Sequence, residues 1–422
     1  MKKSILILLL IVLPFSANAY EALVDGIAYN FNSDNNTAAV AEYHGWYVGD
    51  IVIPSTVHWE GENYSVTSIS EYAFANCALL SVSIPNSVLT IGKHAFDGCT
   101  RMKSVNIPPS ITSIQPSTFI YCSSLESIFL PETVVSIGEH AFDGCSNLKT
   151  INLHDNITFI DRCALKGCSS LTDIHIPNNL TIIIYGTFSD CRSLTSVTIP
   201  SNVSSLEDYA FKDCSGLKSL IIPKGLTSIS HISFDGCSGL SSIIVESGNS
   251  TYDSRNNCNA IIKTSSNYLI RGCNNTIIPN GVTRIDNSAF SGCNDLQSIS
   301  IPNSVISIDS RAFKGCSSLT SLVIPSSIRY IEDSSFEGCS GLLSIAVDSD
   351  NQSFDSRNDC NAIIRTGDNY LILGCMNTLI PEGVTTIGRE SFYSCYNLTS
   401  ITIPNSVKTI CEYAFINVSK RA

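Results

Sequence analysis

Eighteen cysteines are the residues of this chain with the most chemistry to offer. In such number they could build a disulfide framework, hold metal ions or carry reactive thiols. No Cys-x-x-Cys occurs, so zinc and dithiol-redox readings lose their main signal. The seven histidines are scattered. His94 and His140 share a phase but lie two turns apart, about 10 Å at the strand spacing argued below, too far to share an ion. The stretches Asp253-Ser254-Arg255-Asn256 and Asp355-Ser356-Arg357-Asn358 offer carboxylates in loops. They lack the glycine and distant glutamate of a calcium-binding EF-hand loop and read as polar turns. There is no Gly-x-Ser-x-Gly elbow, His-Glu-x-x-His, phosphate-cradling glycine loop or dinucleotide fingerprint. The chain is therefore read as a non-enzyme with no catalytic residues, metal ligands or cofactor.

The spacing of the cysteines says what they are for. Twelve of them, from Cys77 to Cys395, follow one another at 22 or 23 residues, apart from two gaps of 56. Prolines keep the same phase, each after an apolar-x-apolar triplet, and His154, Glu246 and Asp348 fill the place where proline is missing. The prolines count fifteen turns, and each long gap is one ordinary turn plus one carrying ten extra residues. Within Cys316-Ser-Ser-Leu319-Thr-Ser-Leu322-Val-Ile324-Pro325, alternate residues from Leu322 point in and out as a short strand. Proline cannot donate to a ladder and ends it. Ile328, Ile331 and Phe336 bring the chain back to the core. One such unit cannot bury its apolar residues alone, so copies must stack as a parallel sheet at about 4.8 Å per turn. In that ladder the twelve in-phase cysteines read as buried thiols, since free cysteine packs as a small apolar residue.

Six cysteines fall outside the phase: Cys163, Cys258, Cys273, Cys360, Cys375 and Cys411. Four belong to the two long turns, which are near copies 102 residues apart. Gly367-Asp368 between apolar runs is a two-residue hairpin signal. Folding about it sets Cys360 opposite Cys375, and by analogy Cys258 opposite Cys273, so one disulfide per hairpin is the expectation set beside free thiols.

The unit Gly-Cys-Ser-Ser-Leu-x-x-Leu-x-Ile-Pro…Ala-Phe-x-Gly-Cys, with Gly144 to Cys168 and Gly315 to Cys339 as clear statements of it, resembles the leucine-rich repeat of BspA-like bacterial surface proteins. The resemblance covers residues from about 50 to 418. It implies a repeat solenoid: a leucine-rich-repeat horseshoe with a parallel β-sheet on its concave face, mainly β with short helical turns. On that face one outward row is nearly all serine, from Ser104 to Ser400. The other row varies and supplies the candidate protein-binding residues Asn106, Phe129, Asn152, His175, Thr198, Ile221 and Ile244, with Val323 further along. Some relatives of this kind are adhesins, so the resemblance implies binding to host or neighbouring-cell extracellular proteins. A structural, self-associating surface protein is the alternative.

The ends and the composition complete the reading. Lys2-Lys3, an apolar run from Ile5 to Phe15 and Ser16-Ala17-Asn18-Ala19 make a secretory signal over residues 1–19, cleaved near Ala19. No later run is long enough to span a membrane, so a secreted or cell-surface protein of a bacterium is expected. Residues 20–64 carry Trp46, Trp59 and several tyrosines and read as an N-terminal cap and first strand. Residues 65–422 are then the repeats, with hairpin insertions near 247–278 and 349–380. No comparable cap follows Phe415, which leaves the C-terminal end open to self-association or a partner. With 37 acids against 25 bases and a charge of −12, the chain lacks the basic patch that nucleic acid requires.

Overall fold

The computed structural model describes residues 20–43 and 46–418, and the expected export signal lies outside the described residues. Successive turns are joined by three parallel sets of hydrogen bonds. The first uses the short strands ahead of the prolines: Val48–Val52 pairs with Ala78–Ser83, Ser127–Ile128 with Thr150–Ile151, Ser219–Ile222 with Ser242–Val245, and Ser321–Ile324 with Ser344–Val347. The second uses the Ser-Ile pairs after the prolines, such as Ser113–Ile114, Ser136–Ile137 and Phe159–Ile160 in one ladder. In both, alternate residues are buried, so that Ile128, Ile151, Leu220 and Leu322 face inward beside the outward Ser127, Thr150, Ser219 and Ser321, the period-two pattern of a strand buried on one side.

The third set replaces the short helices that the resemblance implied. Among the described residues the only helical segments are two single 3₁₀ turns, Arg255–Asn257 and Arg357–Asp359, both inside the insertions. The Ala-Phe-x-Gly-Cys stretch instead runs through successive tight turns containing left-handed residues, for example Ser117 and Tyr121 at φ 54° and 58°. Its alternate N–H groups are consequently aimed at the next turn. Ser117, Phe119 and Tyr121 donate to the carbonyls of Glu139, Ala141 and Asp143 at 2.8, 2.9 and 2.7 Å. A helix would have turned these donors back on itself and left adjacent turns unbonded.

Inside the three ladders lies an apolar column. Phe74, Phe96, Phe119 and Phe142 stack with centroids 5.2, 5.3 and 5.4 Å apart, and the run resumes after Leu165 with Phe188, Phe211 and Phe234. The in-phase cysteines sit beside them, and their thiols have a definite partner. Cys99, Cys122, Cys145 and Cys214 donate to the carbonyls of Phe74, Phe96, Phe119 and Phe188 at 3.0 to 3.1 Å. A residue here must be small, apolar and able to give one hydrogen bond, which cysteine alone combines with full burial. At the N-terminal end, Ile27–Asn32 and Thr37–Val40 form an antiparallel hairpin over the column. The hydroxyl of Tyr47 accepts from Ala28 N at 2.9 Å, and its ring lies 4.8 Å from that of Phe74.

The two insertions divide the core into three clusters. Each adds an antiparallel hairpin, Ile261–Lys263 with Tyr268–Arg271 and Ala362–Arg365 with Tyr370–Gly374. Both hairpins slip by one residue, between Ile261 and Ile262 and between Ile363 and Ile364. That slip corrects the expected disulfides, because a one-residue shift sends a side chain to the other face. The thiol of Cys273 meets Asn259 O at 3.3 Å, and Cys258 and Cys273 belong to different core clusters. Cys360 and Cys375 repeat the arrangement, and all four are free thiols. The polar turns before the hairpins are occupied by arginine: Arg255 forks onto Asp253 at 2.8 and 2.6 Å and reaches Asn267 Oδ1 at 2.9 Å, and Arg357 does the same with Asp355 and Asn369.

One residue of the first hairpin is costly. Arg271 is fully buried, and its Nη1 donates to Ser288 O at 3.3 Å while Nε and Nη2 have no partner. The second hairpin has Leu373 at this place.

Three outcomes follow from this core. In guanidinium without reductant, Ellman's reagent should titrate eighteen thiols per chain; sixteen or fewer would restore a disulfide. Burial pushes the thiols of Cys99 and Cys237 up to about 12. Groups raised on folding stabilise the native state fully below the unfolded value near ~8.5, and lose that contribution as pH climbs toward the folded one. The urea midpoint should thus be flat around neutrality and fall steeply from about pH 9 to 11, by up to ~1.4 kcal/mol per pH unit for each such thiol. A flat profile to the upper limit would contradict the ladder of protonated thiols. Replacing Arg271 by leucine should raise the melting midpoint, with a gain of about 1–4 kcal/mol from removing an uncompensated buried charge.

The concave face as candidate interaction surface

The strand ladder presents one outward side chain per turn two residues before the proline position, and the ladder decides which of them are available. Asn106 and Asn152 are not. The amide of Asn106 accepts from Ile84 N at 2.8 Å and donates to Ile84 O at 2.7 Å. Asn152 brackets Leu130 in the same way at 2.7 and 2.9 Å. Each supplies hydrogen bonds that a longer strand would have made, and so stitches two turns together.

The other candidates divide into two kinds. Phe129 stands 71% exposed, with the Asn152 bracket on the turn that follows. His175 is tethered: its Nε2 lies 2.9 Å from Asp155 Oδ1. That carboxylate also accepts from the backbone and side-chain nitrogens of Asn178, both at 2.9 Å, and these bonds, the backbone one foremost, hold Asp155 down at about 2. Thr198 is exposed and bridges to Ile221. Ile221 and Ile244 are register partners on adjacent strands, 47% and 52% exposed, so their side chains form one apolar surface.

Sequence reasoning overlooked Ile277 and Leu379, which are 73% and 74% exposed. Both belong to the long turns, where the cysteine phase is lost. The proline phase could have found them, because Ile277 precedes Pro279 and Leu379 precedes Pro381 as Ile221 precedes Pro223. They do not extend the Ile221–Ile244 patch without a break. The approach to the first hairpin wedges between Ile244 and Ile277, with Ser254 Oγ accepting from Val245 N at 3.0 Å and Cys258 O from Ile277 N at 3.1 Å. The face therefore carries separate apolar spots, at Phe129, at Ile221 with Ile244, at Ile277, at Val323 and at Leu379. Among the described residues, no group of three or more His, Cys, Asp or Glu side chains is placed to hold a metal ion.

A stack of 23-residue turns with an inward parallel ladder and an outward variable row defines a leucine-rich repeat protein. The BspA type leucine rich repeat region matches residues 62–172, 163–267, 260–364 and 373–421. The chain belongs to that family. It is similar to the crystal structure of a leucine rich cell surface protein from Faecalibacterium prausnitzii, with 28% identity, a TM-score of 0.56 and coverage of 94% of this chain and 95% of that one. It is likewise similar to a leucine-rich repeat protein from Bacteroides ovatus, with 26% identity, a TM-score of 0.56 and coverage of 93% and 90%. No curated protein matches the chain by sequence. No helix among the described residues is long and apolar enough to cross a membrane.

Proposed function

We propose that this chain is an exported, non-catalytic protein-binding module that attaches to host or neighbouring-cell extracellular proteins through its concave face. The observation that carries the reading is the in-register pair Ile221 and Ile244, two large apolar side chains kept half in water on a rigid ladder. Contiguous exposed apolar patches mark contact sites. His175, two turns before Ile221 and oriented by Asp155, and Phe129 further along give the row the mixed aromatic, polar and aliphatic character of a recognition surface. Similarity to a bacterial cell-surface protein of nearly equal length supports a surface location.

The alternative is a structural protein whose last described turn self-associates. Ile403, Ile410, Tyr413 and Ile416 of that turn are exposed, and light scattering that grows with concentration would favour it.

Adhesion to immobilised extracellular-matrix and plasma proteins tests the main reading. Ile221→Ser with Ile244→Ser should weaken binding of a positive ligand tenfold or more, about 1.4 kcal/mol, and leave the melting midpoint nearly unchanged because both side chains lie on the solvent side. Phe129→Ser with His175→Ser should weaken it further if the footprint reaches the earlier turns. Wild-type affinity in all four substitutions combined would remove the concave face from the function.

A further inference from the structure

We infer that a second binding site, for an acidic oligosaccharide, lies away from the strand row on the turn ridge around Arg162 and Tyr185. Two adjoining pockets of about 450 and 390 Å³ meet there and share these two residues as their common wall. Both volumes fall in the range of small-ligand sites.

The repeat itself builds the wall. Arg162 and Tyr185 are 23 residues apart and occupy one phase on adjacent turns, so the guanidinium carbon lies 5.8 Å from the centre of the tyrosine ring. Tyr185 in turn meets Tyr209 edge to face, with centroids 5.4 Å apart, and the Lys212 ammonium lies 5.3 Å from the Tyr209 ring. The larger pocket opens because of a missing side chain. At the left-handed position that His140, Cys163 and Tyr209 fill on neighbouring turns, this turn has Gly186 at φ 65°. A Cβ there would come within 2.8 Å of the Cys163 sulfur, so the notch has backbone for its floor.

The chemistry of the walls names the ligand class. Lys166 and Lys212 already face carboxylates, Asp143 at 3.6 Å and Asp213 at 3.5 Å. Arg162 is different. Among the described residues its guanidinium makes no hydrogen bond and no ion pair, and its contact is the Tyr185 ring. A planar fork held against an aromatic face with its donors uncommitted suits a carboxylate or sulfate taken in two parallel bonds. The smaller pocket is lined by the hydroxyls of Ser205, Ser228 and Ser230, which donate to and accept from sugar hydroxyls, by the carboxylates of Glu207 and Asp208, which accept from them, and by Leu206 and Ile229. Glu139 and Asp190 line the larger pocket, so Arg162 is where an acidic group must sit. Tyr185 stands between the two pockets, partly exposed, with Arg162 on one neighbouring turn and Tyr209 on the other. The larger pocket is lined without an aliphatic side chain, so it offers no anchor for an apolar peptide side chain. One sugar unit with its acidic group at Arg162 and a second against the serines would span both pockets across Tyr185.

Calorimetric titration of the secreted chain with a hexagalacturonate, a heparin hexasaccharide, cellohexaose and hexaglutamate tests the site, and the first two separate carboxylate from sulfate recognition. At least one anionic hexasaccharide should bind. Arg162→Ala and Tyr185→Ala should each weaken it tenfold or more, on the scale of a lost charge-assisted hydrogen bond. Arg162→Lys, which keeps the charge but loses the fork, should fall between. Tyr121→Ala, an exposed tyrosine outside both pockets, should leave affinity unchanged. The inference fails if neither anionic sugar binds, if cellohexaose or hexaglutamate binds equally well, or if the folded Arg162 variants keep wild-type affinity. The concave-face substitutions should not alter this binding, which keeps the two sites separable.

Discussion

The thiol of one turn closing the phenylalanine carbonyl of the turn before it is the contact on which the rest of the array depends. It ties two demands to one residue, because the position must be small enough to lie beside a stack of aromatic rings and must also give a hydrogen bond to a carbonyl of the neighbouring turn. Each such carbonyl also accepts from the backbone N–H of the cysteine on its own turn, as Phe74 O does from Cys77 N at 3.1 Å, so the thiol of the next turn supplies its second bond; a serine in its place would bury a hydroxyl against apolar rings. Once this bond and the ring stack set the distance between turns, the two β ladders and the ridge of left-handed turns come into register together. The unit has little freedom in length, which is why ordinary turns hold so closely to 23 residues.

The insertions show what happens where that contact cannot be made. After the first hairpin, Cys293 finds only Gly272 O, at 3.9 Å, because the inserted turn brings no ridge of its own. Gly272 and Gly374 lie directly under the rings of Phe290 and Phe392, where any Cβ would collide with the aromatic ring, so the apolar column restarts over bare backbone. The price on the outer surface is a broken row, with the hairpin approach separating Ile244 from Ile277. Two sites of different chemistry can then coexist on one repeat: the ladder face supplies aliphatic spots, while the ridge supplies tyrosines, cations and carboxylates. Both depend on side chains that the core does not use.

Much of this was legible in the residues. The cysteine and proline phases disclose the solenoid, the inward strand positions and the packing role of the in-phase thiols, because every turn repeats the same burial problem. The hairpins were legible from Gly367-Asp368 and the paired apolar runs. Their cysteine pairing was not, since a single bulge moves Cys258 and Cys273 to opposite cores and no residue type announces a bulge. Helical turns were expected between the strands, but Ser117, Tyr121 and their equivalents adopt left-handed backbone that short-range propensity does not favour; the neighbouring turn selects it by offering carbonyls.

The candidate surface divides along the same line. Sequence by itself determined the family, the repeat length, the buried set and the outward position of the variable row, all of which follow from periodicity. Only the tertiary structure decided that Asn106 and Asn152 are spent on Ile84 and Leu130, that His175 is held by Asp155, and that Arg162 leans on Tyr185 with its donors free. Those facts turn on which groups meet across turns, and a contact between residues 20 or more apart is set by the register of the stack, which no local window of sequence contains.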